Sequence, residues 1–338
     1  MDISPSQLIK QLTVALKANL VPYIHGSPAV GKSAITQAVA DKFKLKLIDI
    51  RLADYDPTDI TGFPIIDPET GLARHVPFDT FPTENTPIPE GYKGWLVLFD
   101  EFSSAPRAVQ AATYKVILDR MVGQYKLHKK CFLIAAGNRE DDNAIVVPMS
   151  TALISRFCHF YLTPDLTEWK DWAASQGLDH RINAYLGFRP EHLYTFKPEL
   201  TEAYASPRTW EMVSRVIQGE TDISAFSETL AGLIGEGVSL EFKTFIKICS
   251  DIPPLEDILA DPEGVPLKDD LSVKWALMGT VTYNITEDTQ EATYKFLNRL
   301  SADLRVVAMR EINLRHPQLR QTQAFQDWHT QVAMDAFG

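Results

Sequence analysis

The chain has 338 residues, 45% of them hydrophobic, with a formal net charge of −11 and a pI near 5.2. This length fits two domains with sizeable cores, and the acidic balance weighs against non-specific nucleic-acid binding, which depends on Lys and Arg, without excluding a local basic groove. Cys131, Cys158 and Cys249 have neither CxxC pairing nor metal spacing and read as buried thiols, while Lys10 and Lys17 interrupt the opening segment and no stretch is apolar enough to span a bilayer, so a soluble, cytoplasmic protein is expected.

In chain order, "SPSQ" sets a helix start, with Ser4 as N-cap, Pro5 in the first position and Gln7 folding back onto the cap. "LVPYI" (20–24) reads as a short apolar strand, followed by a glycine-containing loop and a helix through Phe43 with Ile35, Val39 and Ala40 on one face. "KLIDI" (46–50) reads as a second strand. Residues 51–94 are dense in Pro, Gly and turn dipeptides, with a hairpin signal around "DPETG"; a loop of this length is usually functional or an insertion. "WLVLF" (95–99) is continuously apolar, as a strand buried on both faces must be. A helix over 105–121 opened by Pro106, a polar hairpin in "VGQYKLHKK" and a buried strand in "CFLIAAG" (131–137) follow. Strands alternating with helices predict a doubly wound parallel α/β sheet. Beyond about Thr163 the periodicity is helical throughout, as in "LTEWKDWAASQ", "SETLAGLIGEGVSLEFKTFIKICS" and "EATYKFLNRLSADLRVVAMREINL".

Five motifs carry chemistry. In "GSPAVGKSA", Gly26, Ser27, Pro28, Ala29, Val30, Gly31, Lys32, Ser33 and Ala34 have the spacing of a phosphate-binding loop between a strand and a helix. Such a loop turns its N–H groups toward phosphate oxygens, Lys32 reaches the β- and γ-phosphates, and the Ser33 hydroxyl ligates Mg2+. "WLVLFDE" ends a buried strand in two acids. At the carboxyl end of a parallel strand, Asp100 can hold Mg2+ through its water shell and Glu101 can orient and polarise an attacking water. Asn138, closing "IAAGN", stands where a neighbouring strand end faces the γ-phosphate; alone it would read as a turn residue. Arg156 in "ISRF" alone would read as a surface ion-pairing group. Arg208 in "SPR" sits in a helix first turn, where a cation opposes the dipole, and reads equally as an anion contact or a solvated side chain.

In this order the motifs resemble the AAA+ ATPases, and within them the MoxR-like clade. "GSPAVGKS" is similar to Walker A, "LVLFDE" to Walker B, "AAGN" to sensor 1, "ISRF" to the arginine-finger motif and "SPR" to sensor 2; "DEFSSAP" with the following "VQA" also matches the clade. The resemblance covers about 4–250, and "LRHPQLRQTQAFQDWH" looks like the tails of some phage and bacterial members. It implies an AAA+ nucleotide-binding core over 1–163, with an insertion at about 51–94 and a hairpin at about 121–131. A helical lid and C-terminal region over 164–338 would follow. It further implies ATP and Mg2+ as cofactors and a homo-oligomeric ring, typically hexameric. Arg156 would act in trans on the neighbour's γ-phosphate, and Arg208 would contact nucleotide from the lid. Such proteins remodel or activate a protein client, often with a von Willebrand A-domain partner.

The chain departs from the clade at Pro28-Ala29-Val30, where many members carry a second Pro or Gly, at Ser33 in place of a common Thr, and at "SSAP" in place of "NRAP", so no role of that Arg passes to Ser104. A nucleic-acid motor is the alternative, with Lys126, His128, Lys129 and Lys130 giving the hairpin a basic tip. A small phosphate-loop kinase would need neither a trans-acting Arg nor the long helical region.

Overall fold

The computed structural model describes residues 2–142, 147–250 and 252–337. The chain divides into two units, Met1–Pro164 with Lys197–Glu199, and Asp165–Phe196 with Leu200–Gly338.

The first unit starts with a two-residue strand, β1 (Asp2–Ile3), and α1 (Pro5–Lys17), whose first turn is closed by a reciprocal Ser4–Gln7 capping box. β2 (Val21–His25), α2 (Lys32–Phe43) and β3 (Leu45–Arg51) complete the first βαβ crossover. The Pro- and Gly-rich stretch contains α3 (Pro57–Thr61) and a hairpin of β4 (Phe63–Ile66) and β5 (Ala73–Val76) folded around the expected "DPETG" turn. β6 (Gly94–Asp100), α4 (Arg107–Asp119), β7 (Met121–Val122), β8 (Tyr125–Lys126), β9 (Cys131–Gly137), α5 (Thr151–Ile154) and β10 (Phe157–Leu162) follow.

Six strands form one parallel sheet in the order β1-β10-β2-β9-β6-β3, with β3 at one edge. Both faces are covered, which is why the central strands are apolar without alternation. Val21, Tyr23, Trp95, Val97 and Phe99 enter one core with Phe102, Val109, Val116 and Phe157, while the intervening Ile24, Leu96 and Leu98 are equally buried on the other face. This is the doubly wound parallel α/β core expected from the alternation of strands and helices.

Four local expectations are corrected. β1 was not foreseen, because two residues give no periodicity; it is held by parallel pairing of Asp2 with Tyr161 and Ile3 with Leu162. Pro106 opens α4 as its N-cap, and the helix, Arg107–Asp119, is shorter at both ends than the expected 105–121. The 121–131 hairpin turns at Gly123-Gln124, where Gly123 supplies φ +58, so its tip is not basic. Lys126 lies on the return strand, and Lys129 and Lys130 follow it, exposed, on the way into β9. Of the cysteines only Cys131 is buried; Cys158 and Cys249 are half-buried, and all three are free. Burial pushes the Cys131 and Cys249 thiols up to about 12, which keeps them protonated and unreactive.

The second unit is helical throughout its described residues: α6 (Leu166–Ser175), α7 (His180–Phe188), α8 (Pro207–Ile217), α9 (Ser227–Ile234), α10 (Glu236–Ser250), α11 (Leu255–Ala260), α12 (Leu271–Tyr283), α13 (Gln290–Leu297), α14 (Ala302–Arg315) and α15 (Gln323–Phe337), with short 3-10 turns between some of them. The long periodic run at 227–250 is split into α9 and α10 at Gly235, whose φ of +84 ends the first helix. One core gathers Tyr185, Trp210, Phe242 and Phe245, and a second gathers Leu277, Phe296, Ile312 and Trp328. The buried Glu311 carboxylate accepts from Asn183 Nδ2 at 3.0 Å and Arg315 Nε at 3.2 Å, and Lys170 Nζ lies 3.9 Å away, so its charge is compensated.

His180, at the start of α7, stacks on Tyr283 with ring centroids 4.3 Å apart. Burial pulls its imidazole from 6.5 down to about 4; the adjacent Asp179 opposes that shift, and Arg315 and Arg181 reinforce it. Because the unfolded chain binds this proton more readily, the contribution is full above pH 6.5 and falls as pH drops toward 4, by up to about 3 kcal/mol. Denaturant unfolding at pH 7, 6 and 5 should show that loss, and His180→Gln should flatten it.

Candidate nucleotide site

Three neighbouring strands of the first unit end side by side: β2 at His25, β9 at Gly137 and β6 at Asp100. The carboxyl edge of a parallel sheet is where such folds bind ligands. β9 lies between the strand that enters the phosphate loop and the strand that carries the acidic pair, which places Asn138 between Gly26 and Asp100.

The loop Gly26–Gly31 leads into α2, where Gly31 is the N-cap at φ +98 and no side chain caps the helix start. The first turn of any helix offers N–H groups that the helix itself does not use, and the start of α2 therefore has the arrangement that binds anions. Lys32 Nζ donates to the Gly26 carbonyl at 2.5 Å, the Ser27 carbonyl at 3.2 Å and Asn138 Oδ1 at 3.0 Å. The ammonium thus spans the loop and the end of β9. Ser33 Oγ donates to Asp100 Oδ2 at 2.8 Å, and Asp100 Oδ1 accepts the Glu101 N–H at 2.8 Å. Two hard oxygen donors are therefore side by side, a hydroxyl and a carboxylate, which suits Mg2+ because that ion keeps waters and phosphate oxygens as its remaining ligands. Glu101 is exposed and stands at φ +54.

Four further residues shape the site, and motif spacing did not single them out. Ser103 Oγ accepts the Asn138 N–H at 2.9 Å, tying the segment after the acidic pair to the end of β9. A Cβ at Gly137 would lie 2.1 Å from the Tyr23 hydroxyl and 2.8 Å from Ser103 Oγ, so only glycine fits there. Asp142 Oδ1 accepts from Ser27 Oγ at 2.7 Å and Oδ2 accepts the Arg139 N–H at 2.9 Å, bracing the loop from the side. Asp49 on β3 senses the acidic pair: loss of hydration first, then the Asp100 charge, hold its carboxyl above the ordinary range despite the opposing Arg51. Their partners are 35 to 115 positions distant for Ser103 and for Asp142 with Ser27, so only the sheet order could have revealed them.

Arg156 is not part of this cluster. It precedes β10, whose first residue Phe157 pairs with Val21, the first residue of β2. The loop leaves the other end of β2, so Arg156 stands roughly 16 Å or more along the strands from its own loop, at about 3.3 Å per residue. It packs on Tyr114, its guanidinium 5.0 Å from the ring centre, and Nη1 donates to the Ala152 carbonyl at 2.7 Å and Ser155 Oγ at 2.9 Å. Arg208 belongs to the second unit; it is the exposed second residue of α8, within the turn closed by the Ser206–Thr209 capping box.

No family model matches the chain, and no curated protein matches it. Among solved structures it is similar to a Cytophaga hutchinsonii protein to which ATPase activity is ascribed, with a TM-score of 0.38 and 16% identity over 99% of this chain and 90% of that one. It is also similar to a RuvB mutant of Thermotoga maritima, with a TM-score of 0.35 and 15% identity over 94% of this chain and 87% of that one. Among the described residues no helix is long and apolar enough to cross a membrane.

Ala29, at φ +62, occupies the left-handed region without being glycine. That conformation costs an L-residue roughly 1–2 kcal/mol, partly offset in any glycine variant by added unfolded-chain entropy. Ala29→Gly should therefore stabilise the first unit by about 0.5 kcal/mol, read as a higher denaturation midpoint.

Proposed function

We propose that this protein is a ring-forming AAA+ ATPase of the MoxR-like type, which couples Mg-ATP hydrolysis to remodelling or activating a protein client. The observation that carries the reading is the meeting of Lys32, Ser33, Asp100 and Asn138, drawn from three strand ends, through Lys32–Asn138 and Ser33–Asp100 hydrogen bonds. A glycine-rich turn that served only to connect a strand to a helix would not need an ammonium, a hydroxyl, a carboxylate and an amide at one point.

In this reading the N–H groups at the start of α2 receive the β- and γ-phosphates, and Lys32 exchanges its loop carbonyls for phosphate oxygens. Ser33 and Asp100 would hold Mg2+, which supplies charge neutralisation at the phosphates. Glu101 orients a water in line with the γ-phosphorus and takes its proton as the bond to the β–γ bridging oxygen breaks, giving ADP and phosphate. Asn138 hydrogen-bonds the γ-phosphate and that water. Arg156, at the opposite end of the strands from its own loop, is suited to a neighbour's γ-phosphate, which implies a ring, hexameric by resemblance. Arg208 would report nucleotide state from the helical unit. A von Willebrand A-domain protein is the partner that the resemblance suggests, with a cytoplasmic setting. The reading as a nucleic-acid motor loses its main support, since the hairpin tip is Gly123-Gln124 and the lysines lie off it.

Lys32→Ala should abolish ATP binding in calorimetry, and Glu101→Gln should bind ATP yet turn over at least about a hundredfold more slowly, the range typical of losing a catalytic base. Unchanged binding in the first variant or full turnover in the second overturns the site. Mixing Lys32→Ala with Arg156→Ala protein should restore part of the turnover that each lacks, because some interfaces then carry both an intact loop and an intact Arg; absence of any ATPase gain across mixing ratios counts against a shared site.

A further inference from the structure

Two histidines have no part in the chemistry above, yet they occupy the path between the phosphate loop and Arg156. His25 is the last residue of β2, directly before Gly26, and His159 is the third residue of β10, three positions after Arg156. His25 Nε2 and His159 Nδ1 are 2.8 Å apart, and His159 Nε2 is 2.9 Å from the Ile154 carbonyl oxygen. A carbonyl oxygen only accepts, so Nε2 of His159 carries its proton. In the neutral ring Nδ1 is then an acceptor, and His25 Nε2–H must be the donor. With both rings neutral the relay has one direction: His25 donates to His159, and His159 donates to the Ile154 carbonyl.

The rings have little room to rotate. His25 stacks on Tyr161 at 4.5 Å with an interplanar angle of 10° and lies 4.3 Å from Tyr23, while His159 meets Phe157 edge-on at 6.1 Å. The far end is tied to Arg156 by short links. Ile154 is the last residue of α5, the Arg156 N–H donates to the Leu153 carbonyl at 3.0 Å, and the guanidinium donates to Ala152 and Ser155 of the same turn. An aromatic filler would supply the same packing without directed nitrogens, so Phe or Tyr would serve at either place if packing were the whole role.

We propose that His25 and His159 are positioning residues that join the phosphate loop to the Arg156-bearing turn, so that nucleotide in one subunit's loop sets the Arg156 which that subunit offers to its neighbour. This rests on the reading of Arg156 as a trans-acting group. Filling the loop moves the end of β2; the hydrogen-bonded ring pair passes that displacement across β10 to Ile154 and the turn moves with it. Neither histidine touches nucleotide in this scheme.

The test uses the full chain and compares His159→Phe, which keeps a ring and loses both nitrogens, with His159→Gln, which keeps one donor and one acceptor. His159→Phe should bind a non-hydrolysable ATP analogue within about twofold of the parent while kcat falls about tenfold, the size of effect typical for residues that transmit coupling without touching ligand. His159→Gln should recover most of kcat. A purely structural role predicts loss of melting temperature without that split between kcat and binding and without rescue by Gln. Should the Phe variant fold poorly, His25→Phe against His25→Gln repeats the comparison at the other end of the pair. Parent-like kcat in folded His159→Phe or His25→Phe, or no difference between the Phe and Gln variants, overturns the proposal. Arg156→Ala is the control: if it is fully active the trans reading itself fails, whereas an inactive Arg156→Ala beside a fully active Phe variant removes the relay alone.

Discussion

The pairing of β2 along both its edges is the constraint on which the rest of the first unit depends. β9 on one side fixes the height of Asn138 against Gly26, through the register of His25 with Gly137. β10 on the other side fixes where Arg156 begins its strand, through the register of Val21 with Phe157. A parallel ladder has a side-chain period of two, so a slip of one residue in either pairing would turn Tyr23 and His25 to the opposite face and separate the loop from its partners. The cost of burying a polar edge in such a sheet is met by Gly26 itself, whose N–H donates to the Gly137 carbonyl at 3.2 Å and continues the ladder into the loop.

Much of this was legible in the sequence because the signals are local. An apolar run without alternation, as at 95–99, has few explanations other than a strand buried on both faces, and the loop spacing from Gly26 to Ser33 is tied to one backbone shape. The parts that were not legible depend on distant pairs. His25 with His159 spans 134 positions and Ser27 with Asp142 spans 115, and neither Ser103 nor Asp142 belongs to a pattern that periodicity can register. β1 was too short to give a period, and the break at Gly235 interrupts a run whose helical spacing is otherwise continuous. The lysines around 126–130 read as a tip when composition alone places the turn, whereas the backbone places it at the one residue there that adopts positive φ without strain, Gly123.

Two non-glycine residues at the site, Ala29 and Glu101, are held at positive φ, at +62 and +54. Such conformations persist only where the surroundings over-determine them. For Glu101 the surroundings are visible: its N–H is held by Asp100 and its carbonyl accepts the Ser104 N–H at 2.9 Å. The strained backbone leaves the carboxylate exposed at the strand end, a placement that would serve the water-orienting role proposed for it. Ala29 has the same backbone geometry at a place where a glycine would be unstrained.

The position of β3 at the rim of the sheet has a further consequence. A rim strand presents backbone donors and acceptors on one side, a template onto which a second strand could add. Here the strand reads Leu-Lys-Leu-Ile-Asp-Ile-Arg, with Lys46, Asp49 and Arg51 exposed, so an incoming apolar strand would meet ionised groups of both signs. Charged rims of this kind deter amyloid-like stacking. That protection matters most in a molecule whose proposed working state crowds several copies together, since each copy then brings its own adhesive edge to within reach of the others.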